Sequence, residues 1–300
     1  MGVTVDFNSL VTEERNKNTM HLDNLDTLSL VSTVQSEDFK VAQAVNEALK
    51  EISLAVDICA NKLKSGGHMI YFGAGTSGRM GILDAAECPP TFGVDDVMVQ
   101  AFLAGGKEAM FKAVEAAEDS LELGIKDVIQ ANVTGNDVVI GIASSGRTPY
   151  VVGAIKKASE LGAATIGIVN NENSDLAKIC EVTIVANVGP EAVTGSTRMK
   201  SASAQKMILN LLSTCTMIKL GKVYENLMVD LKPTNLKLRE RAITIISMLA
   251  AVGRHDAEGA LVASRNCVKT AIVMLKKKLN NKQACELLKE CDGNLRKALG

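Results

Sequence analysis

Five short apolar runs punctuate the first two thirds of the chain: "HMIYFGAG", "DVMVQAFLAGG", "NDVVIGIASSG", "ATIGIVNNENS" and "CEVTIVANVGPE". Each is rich in Val, Ile or Leu and opens into a turn. "KEAMFKAVEAAED" after the second run and "YVVGAIKKASELGA" after the third carry helical spacing. Apolar runs that are continuous rather than alternating mark a parallel sheet covered on both faces, and its crossovers should be right-handed. The pattern predicts a doubly wound, three-layer α/β fold with a parallel sheet of about five strands. Ahead of it, Glu37 to Lys64 reads as a helix with Ser36 as N-cap and "SGG" as its stop. Residues 1–35 are polar and irregular, an arm that could wrap a neighbour. After Met199 the strand signal ends. "MKSASAQKMILNLLSTCTMIKLG" reads as one long apolar helix, "VDLKPTN" as a joint, and the chain from Asn235 as several short helices. The expected division is an arm over 1–36, an α/β domain over 37–232 and a C-terminal helical subdomain over 233–300.

Charge and composition narrow the function. A net charge of −1, 3% aromatic residues and no Trp give no footing for nucleic acid. No apolar run reaches the roughly 18 residues of a membrane span. The opening "MGVTVDFNSLVTEERNKNT" lacks the basic and apolar regions of a secretory signal, and Asp6 breaks the myristoylation pattern. Seven scattered Cys, an odd number without a CxxC, read as reduced thiols of a cytoplasmic protein. The three His, at 21, 68 and 255, are too dispersed for a zinc motif.

The chemistry concentrates at three loops. In "YFGAGTSGRMGILDAAECPP", Gly73, Gly75 and Gly78 satisfy the spacing of a dinucleotide loop. The acid that should follow the second strand is missing, since Asp95 and Asp96 precede it. Gly78-Arg79-Met80 likewise fails the Gly-Lys-Ser/Thr ending of a nucleotide triphosphatase loop. The hydroxyls of Thr76 and Ser77 recur in kind after the third strand, in "ASSGRTP", as Ser144, Ser145 and Thr148 around Gly146. One such loop would read as ordinary helix capping. Two of them, at the carboxyl ends of strands of one parallel sheet, converge on a crevice and offer a phosphomonoester its donors. The third loop, "GPEAVTGSTRMKSASAQK", adds Glu191, Ser196 and Thr197 at the start of the long helix.

These segments resemble the N-acetylmuramic acid 6-phosphate etherases, which have a sugar isomerase (SIS) fold. The matching stretches run in order over nearly the whole chain: "TEERN", "GAGTSGRMGILDAAECPPTFG", "AGGKEAMFKAVEAAEDS", "SSGRTPYVVGA", "GPEAVTGSTRMK", "LMVDLKPTN" and "VKTAIVML". One departure is Ser201-Ala202-Ser203, where the family usually reads Ala-Gly-Thr. The resemblance implies cleavage of the D-lactyl ether at C3 of N-acetylmuramic acid 6-phosphate, a role in recycling cell-wall sugar, and a homodimer with sites near its interface. It also implies Glu87 as catalytic acid and Glu118 as base.

The chemistry fits that assignment. The open-chain sugar has an acidic C2 proton beside its aldehyde, and the C3 ether is then a β-leaving group. Elimination and readdition of water need two carboxyl groups in different protonation states and neither metal nor redox cofactor. Burial among Ala, Cys and Pro would raise an acid at Glu87. Arg79 could clamp the lactyl carboxylate or form a surface ion pair. A helix beginning near Gly78 would carry Glu87 away from the phosphate loop, so either the helix ends early and turns back or a second chain completes the site. An aldose–ketose isomerase of hexosamine phosphates would use the same base. A non-catalytic sugar-phosphate sensor resembling the glucokinase regulatory protein would normally carry two tandem domains.

Overall fold

Every apolar run becomes a parallel strand: β1 Met69–Gly73, β2 Val99–Leu103, β3 Val138–Ile142, β4 Ala164–Val169 and β5 Val182–Val185. The computed structural model describes residues 10–112, 114 and 116–300. The sheet order is β2-β1-β3-β4-β5, with Met69 in register with both Val99 and Val138. Strands β1, β3 and β4 are buried along their whole length, as near-continuous apolar runs require. Chain order reverses between β1 and β3, so the loops that leave their carboxyl ends diverge and open a crevice.

The helices are α1 Thr27–Glu47, α2 Leu49–Lys64, α3 Gly75–Phe92, α4 Leu121–Gln130, α5 Pro149–Glu160, α6 Asp175–Ile179, α7 Lys200–Lys219, α8 Leu236–Ala250, α9 Arg254–Ala263, α10 Val268–Lys277, α11 Asn281–Glu290 and α12 Leu295–Leu299. The chain divides into two compact units. One comprises the residues up to Ala85 with Val97–Ser213, the other Ala86–Asp96 with Thr214–Gly300. The end of α3 and the last turns of α7 therefore group with the C-terminal helices, a division that differs from the sequence-based boundary after residue 232.

In the first unit, Phe72 stacks on Phe102 with ring centroids 5.1 Å apart, and Ile70, Val139, Val151 and Ile155 pack around the fully buried Tyr150. The Tyr150 hydroxyl donates to Asp127 on α4 at 2.7 Å, which satisfies its one polar atom. In the second unit, Val229, Ile243, Ile246, Leu261 and Ile272 form a separate apolar core. Lys269 is buried there and donates to Asp230 and to the Gly293 carbonyl.

Three local readings change. The helix expected after β2 is a short 3-10 turn, Gly106–Met110, followed by a loop. Gly105 and Gly106 have positive φ and Ala116 sits at φ 62°, which interrupts α-helical geometry. Helix α4 starts only where the Ser120 hydroxyl caps the Leu123 N–H. The expected helix from Glu37 begins earlier, at Thr27, capped by Asp26, with Ser36 inside it and a break at Ala48. Residues 10–24 of the arm contain three 3-10 turns; its first nine residues lie outside the described ones. Finally, α3 continues through Pro89 and Pro90 to Phe92. The missing Pro N–H groups fall in its last turn, which Gly93 closes by donating to the Pro89 carbonyl.

A buried ionic cluster ties the N-terminal segment to the third loop. Lys200 and Glu37 pair at 2.7 Å with side chains 0% and 2% exposed. Glu37 also accepts from Asn16, Asn18 and Lys40, while Asn16 donates to the Pro190 carbonyl and Thr19 to that of Ala192. Burial alone would raise the Glu37 carboxyl. The hydrogen bonds from Lys200, Lys40, Asn18 and Asn16 together outweigh it and hold the group down at about 2.

Candidate active site

At the mouth of the switch point lies a crevice of about 400 Å³. Its lining includes Thr76 and Ser77 from the start of α3, Ser144, Ser145 and Thr148 from the β3–α5 loop, and Thr197 from the third loop. Glycine builds the first wall. A Cβ on Gly73 would stand 2.6 Å from the Gly78 nitrogen, and one on Gly78 would stand 2.6 Å from the Gly73 carbonyl oxygen. The end of β1 and the start of α3 therefore touch backbone to backbone, which aims the first-turn N–H groups of α3 along the crevice. The spacing that resembled a dinucleotide loop is a packing requirement.

The hydroxyls are oriented rather than used up as caps. Thr148 is the N-cap residue of α5, yet its side chain makes no capping bond. The Ser145 hydroxyl oxygen accepts from the Arg147 N–H at 3.2 Å. The Ser144 oxygen accepts from Gln205 Nε2 at 2.9 Å. A hydroxyl that accepts from the protein keeps its own proton to donate, and both serines line the crevice. Gln205 is fully buried on α7 and also donates to Asn170. Gln205→Leu should therefore weaken inorganic phosphate binding by about 3- to 10-fold, the worth of one hydrogen bond. Calorimetric titration checks this, and unchanged affinity would show that Ser144 needs no such support.

The two carboxylates have different settings. Glu118 lines the crevice with Asp119. Its exposed side chain stands on a fixed backbone: Ala117 is buried, and the Glu118 carbonyl accepts from the Tyr150 N–H in the first turn of α5 at 3.0 Å. Glu87 is not among the crevice-lining residues. It lies on α3 in the second unit, and it is exposed, so its own chain does not supply the burial expected of it.

Four other expected ligand groups do structural work. Arg79 donates through Nε and Nη2 to the Ala109 and Met110 carbonyls. It is not among the crevice-lining residues, it forms no ion pair with a described residue, and it holds the 106–110 turn. Glu191 is fully buried, and its two oxygens accept from the Lys200 and Ser201 N–H groups, which caps α7. Gly146 takes φ +62° against Ser174, where a Cβ would collide. Ser196 lies outside the lining and its N–H closes a turn on Val193. The departure at Ser201-Ala202-Ser203 falls on α7, with the first two residues buried and the third exposed.

The residues that the sequence did not single out are Leu10, Thr12 and Glu13 in the wall and Gln205 behind it. "TEERN" was legible as a motif, but nothing in it announced proximity to loops more than a hundred residues away. Among the described residues no three His, Cys, Asp or Glu gather as a metal site. No described helix is long and apolar enough to cross a membrane, and none of the seven described Cys is in a disulfide.

Residues 51–159 match the family described as the glucokinase regulatory protein N-terminal SIS domain, and residues 113–214 match the SIS domain. The chain is 50% identical over 296 residues to an N-acetylmuramic acid 6-phosphate etherase of Clostridium beijerinckii, covering 99% of this chain and 97% of that protein. It is 51% identical over 291 residues to the enzyme of the same name from Clostridioides difficile, covering 97% and 96%. Among solved structures, the phosphoheptose isomerase of Neisseria gonorrhoeae superposes with a TM-score of 0.50 at 16% identity, covering 64% of this chain and 99% of that one. A Bacteroides fragilis protein assigned as a phosphosugar isomerase of capsule formation gives 0.50 at 22% identity, covering 66% and 94%. These two likenesses speak for the fold alone.

Proposed function

The chain belongs to the N-acetylmuramic acid 6-phosphate etherases, and from that membership we propose how its residues divide the reaction. It is an enzyme that cleaves the ether of N-acetylmuramic acid 6-phosphate, separating the D-lactyl group from N-acetylglucosamine 6-phosphate. The phosphate sits among Thr76, Ser77, Ser144, Ser145 and Thr148, where oriented O–H groups and the starts of α3 and α5 supply donors. Glu118, on its anchored backbone, takes the C2 proton of the open-chain sugar. The C3–O bond then breaks, the departing lactate oxygen receives a proton, and a C2=C3 double bond forms. Water adds its oxygen at C3 and a proton returns to C2, so atoms balance without a redox partner.

The acid is Glu87 of a second copy in a homodimer. The observation that carries this reading is the setting of each carboxylate: Glu118 lines the crevice, whereas Glu87 is exposed and is not among the lining residues. Helix α3 also runs on past Glu87 instead of ending before it. A two-fold interface would give each site one carboxylate from each chain. Seven cysteines without a disulfide support a reducing compartment such as the cytoplasm. The whole-length likeness to etherases outweighs the sensor reading, which rests on a match to residues 51–159.

Subunit mixing tests the shared site. Glu87→Ala and Glu118→Ala should each release almost no D-lactate. Mixed and allowed to exchange, they should regain about a quarter of wild-type activity, because half of the dimers are hybrids with one intact site. No recovery, with exchange verified, would place both carboxylates in one chain.

A further inference from the structure

The N-terminal segment contributes a wall to the crevice. Leu10 and Thr12 are 2% and 1% exposed, and Thr12 accepts from buried Asn171, which also donates to the Ser144 carbonyl. On the other side of Glu13, Asn16 is locked into the Glu37–Lys200 cluster. Glu13 is thus held on a backbone fixed from both ends. Its own carboxylate makes no hydrogen bond or ion pair with any described residue, and it lines the crevice. One oxygen stands 3.1 Å from where a Cβ on Gly195 would lie. Gly195, at φ +73°, leaves the space that this carboxylate occupies.

We propose that Glu13 is a specificity-determining residue that accepts a hydrogen bond from the sugar, from a ring hydroxyl or the acetamido N–H. A carboxylate accepts only, and like charge keeps it from sharing the phosphate's place. The hydroxyl groups of the α3 and β3–α5 loops mark the phosphate end, so Glu13 marks the sugar end. It also keeps the lactyl carboxylate turned away, which fixes one orientation of the open chain. This rests on the crevice being the sugar-phosphate site.

Glu13→Ala and Glu13→Gln, titrated with N-acetylglucosamine 6-phosphate and separately with inorganic phosphate, test it. In Glu13→Ala the sugar phosphate should bind about 10- to 100-fold more weakly, the loss of one hydrogen bond to a charged group. Glu13→Gln, which keeps an acceptor oxygen, should recover part of that loss. Inorganic phosphate should bind all three proteins alike, and in turnover KM should rise with kcat within about 3-fold of wild type. Unchanged sugar-phosphate affinity in Glu13→Ala overturns the assignment. A parallel loss of phosphate affinity overturns it too, because Glu13 would then be shaping the loops. Wild-type protein that binds neither ligand would instead remove the sugar-phosphate reading of the crevice, and the proposal with it.

Discussion

Glu118→Gln is expected to lower D-lactate release by about 10²- to 10⁴-fold, the usual contribution of a positioned general base, while leaving the fold intact. The Glu118 side chain is exposed, and the bond that ties this turn to α5 runs from its backbone carbonyl to the Tyr150 N–H. The substitution therefore removes a proton acceptor without removing an anchor. Removal of the C2 proton does not require the ether, so the assignment has a readout of its own. Wild-type enzyme should exchange the C2 hydrogen of N-acetylglucosamine 6-phosphate with deuterium oxide, and Glu118→Gln should not. Glu87→Gln should retain exchange while losing lactate release, because the acid acts on the leaving oxygen. Exchange that survives in Glu118→Gln would assign the base elsewhere, with the adjacent Asp119 as the first candidate in the crevice.

Lys200→Met is expected to destabilise the protein by about 3 kcal/mol or more, since it leaves a carboxylate buried without its inner partner. The outer partner, Lys40, stays at 2.7 Å but is 46% exposed, which places the loss at the lower end of the range for broken buried pairs. The effect should depend on pH with a definite sign. The folded Glu37 carboxyl is held at about 2, below its ordinary 4.5. Its contribution to stability is therefore full above about 4.5 and is lost as pH falls from there through about 2. The gap between wild type and Lys200→Met should be widest at neutral pH and shrink through that window. Urea midpoints measured at several pH values check both parts; a gap independent of pH would mean that Lys200 matters through packing alone. The double variant Glu37→Met/Lys200→Met should recover much of the loss.

The sheet was legible in the sequence because a strand buried on both faces reads as a near-continuous apolar run, as β3 and, apart from Thr165, β4 show. The helix after β2 was misread because "KEAMFKAVEAAED" has good helical spacing, and nothing local announces the left-handed backbone at Ala116. The sequence left an early end to α3 open, but the helix runs through Pro89 and Pro90, which it tolerates because the lost hydrogen bonds fall in its last turn. At the site, loop composition singled out the hydroxyl residues Thr76, Ser77, Ser144, Ser145 and Thr148 that line the crevice. It could not separate Thr148, whose side chain makes no capping bond, from Glu191, whose carboxylate caps a helix. Both are polar residues in glycine-rich loops, and only their tertiary partners tell them apart. Thr12 and Glu13 were out of reach for a further reason: Thr12 meets Asn171 across 159 positions of chain.

The pairing of Glu37 with Lys200 also has a consequence for synthesis. The two residues are 163 positions apart, so a growing chain carries Glu37 for roughly 10 to 30 s before Lys200 is made, at ordinary translation speed. All five strands precede Lys200, and the sheet can assemble while α1 still waits for its partner. Docking of the N-terminal segment, and with it the Glu13 wall of the crevice, is therefore a late event that closes one long loop. A nascent chain halted before Lys200 should show protected strands and an N-terminal segment still open to proteolysis.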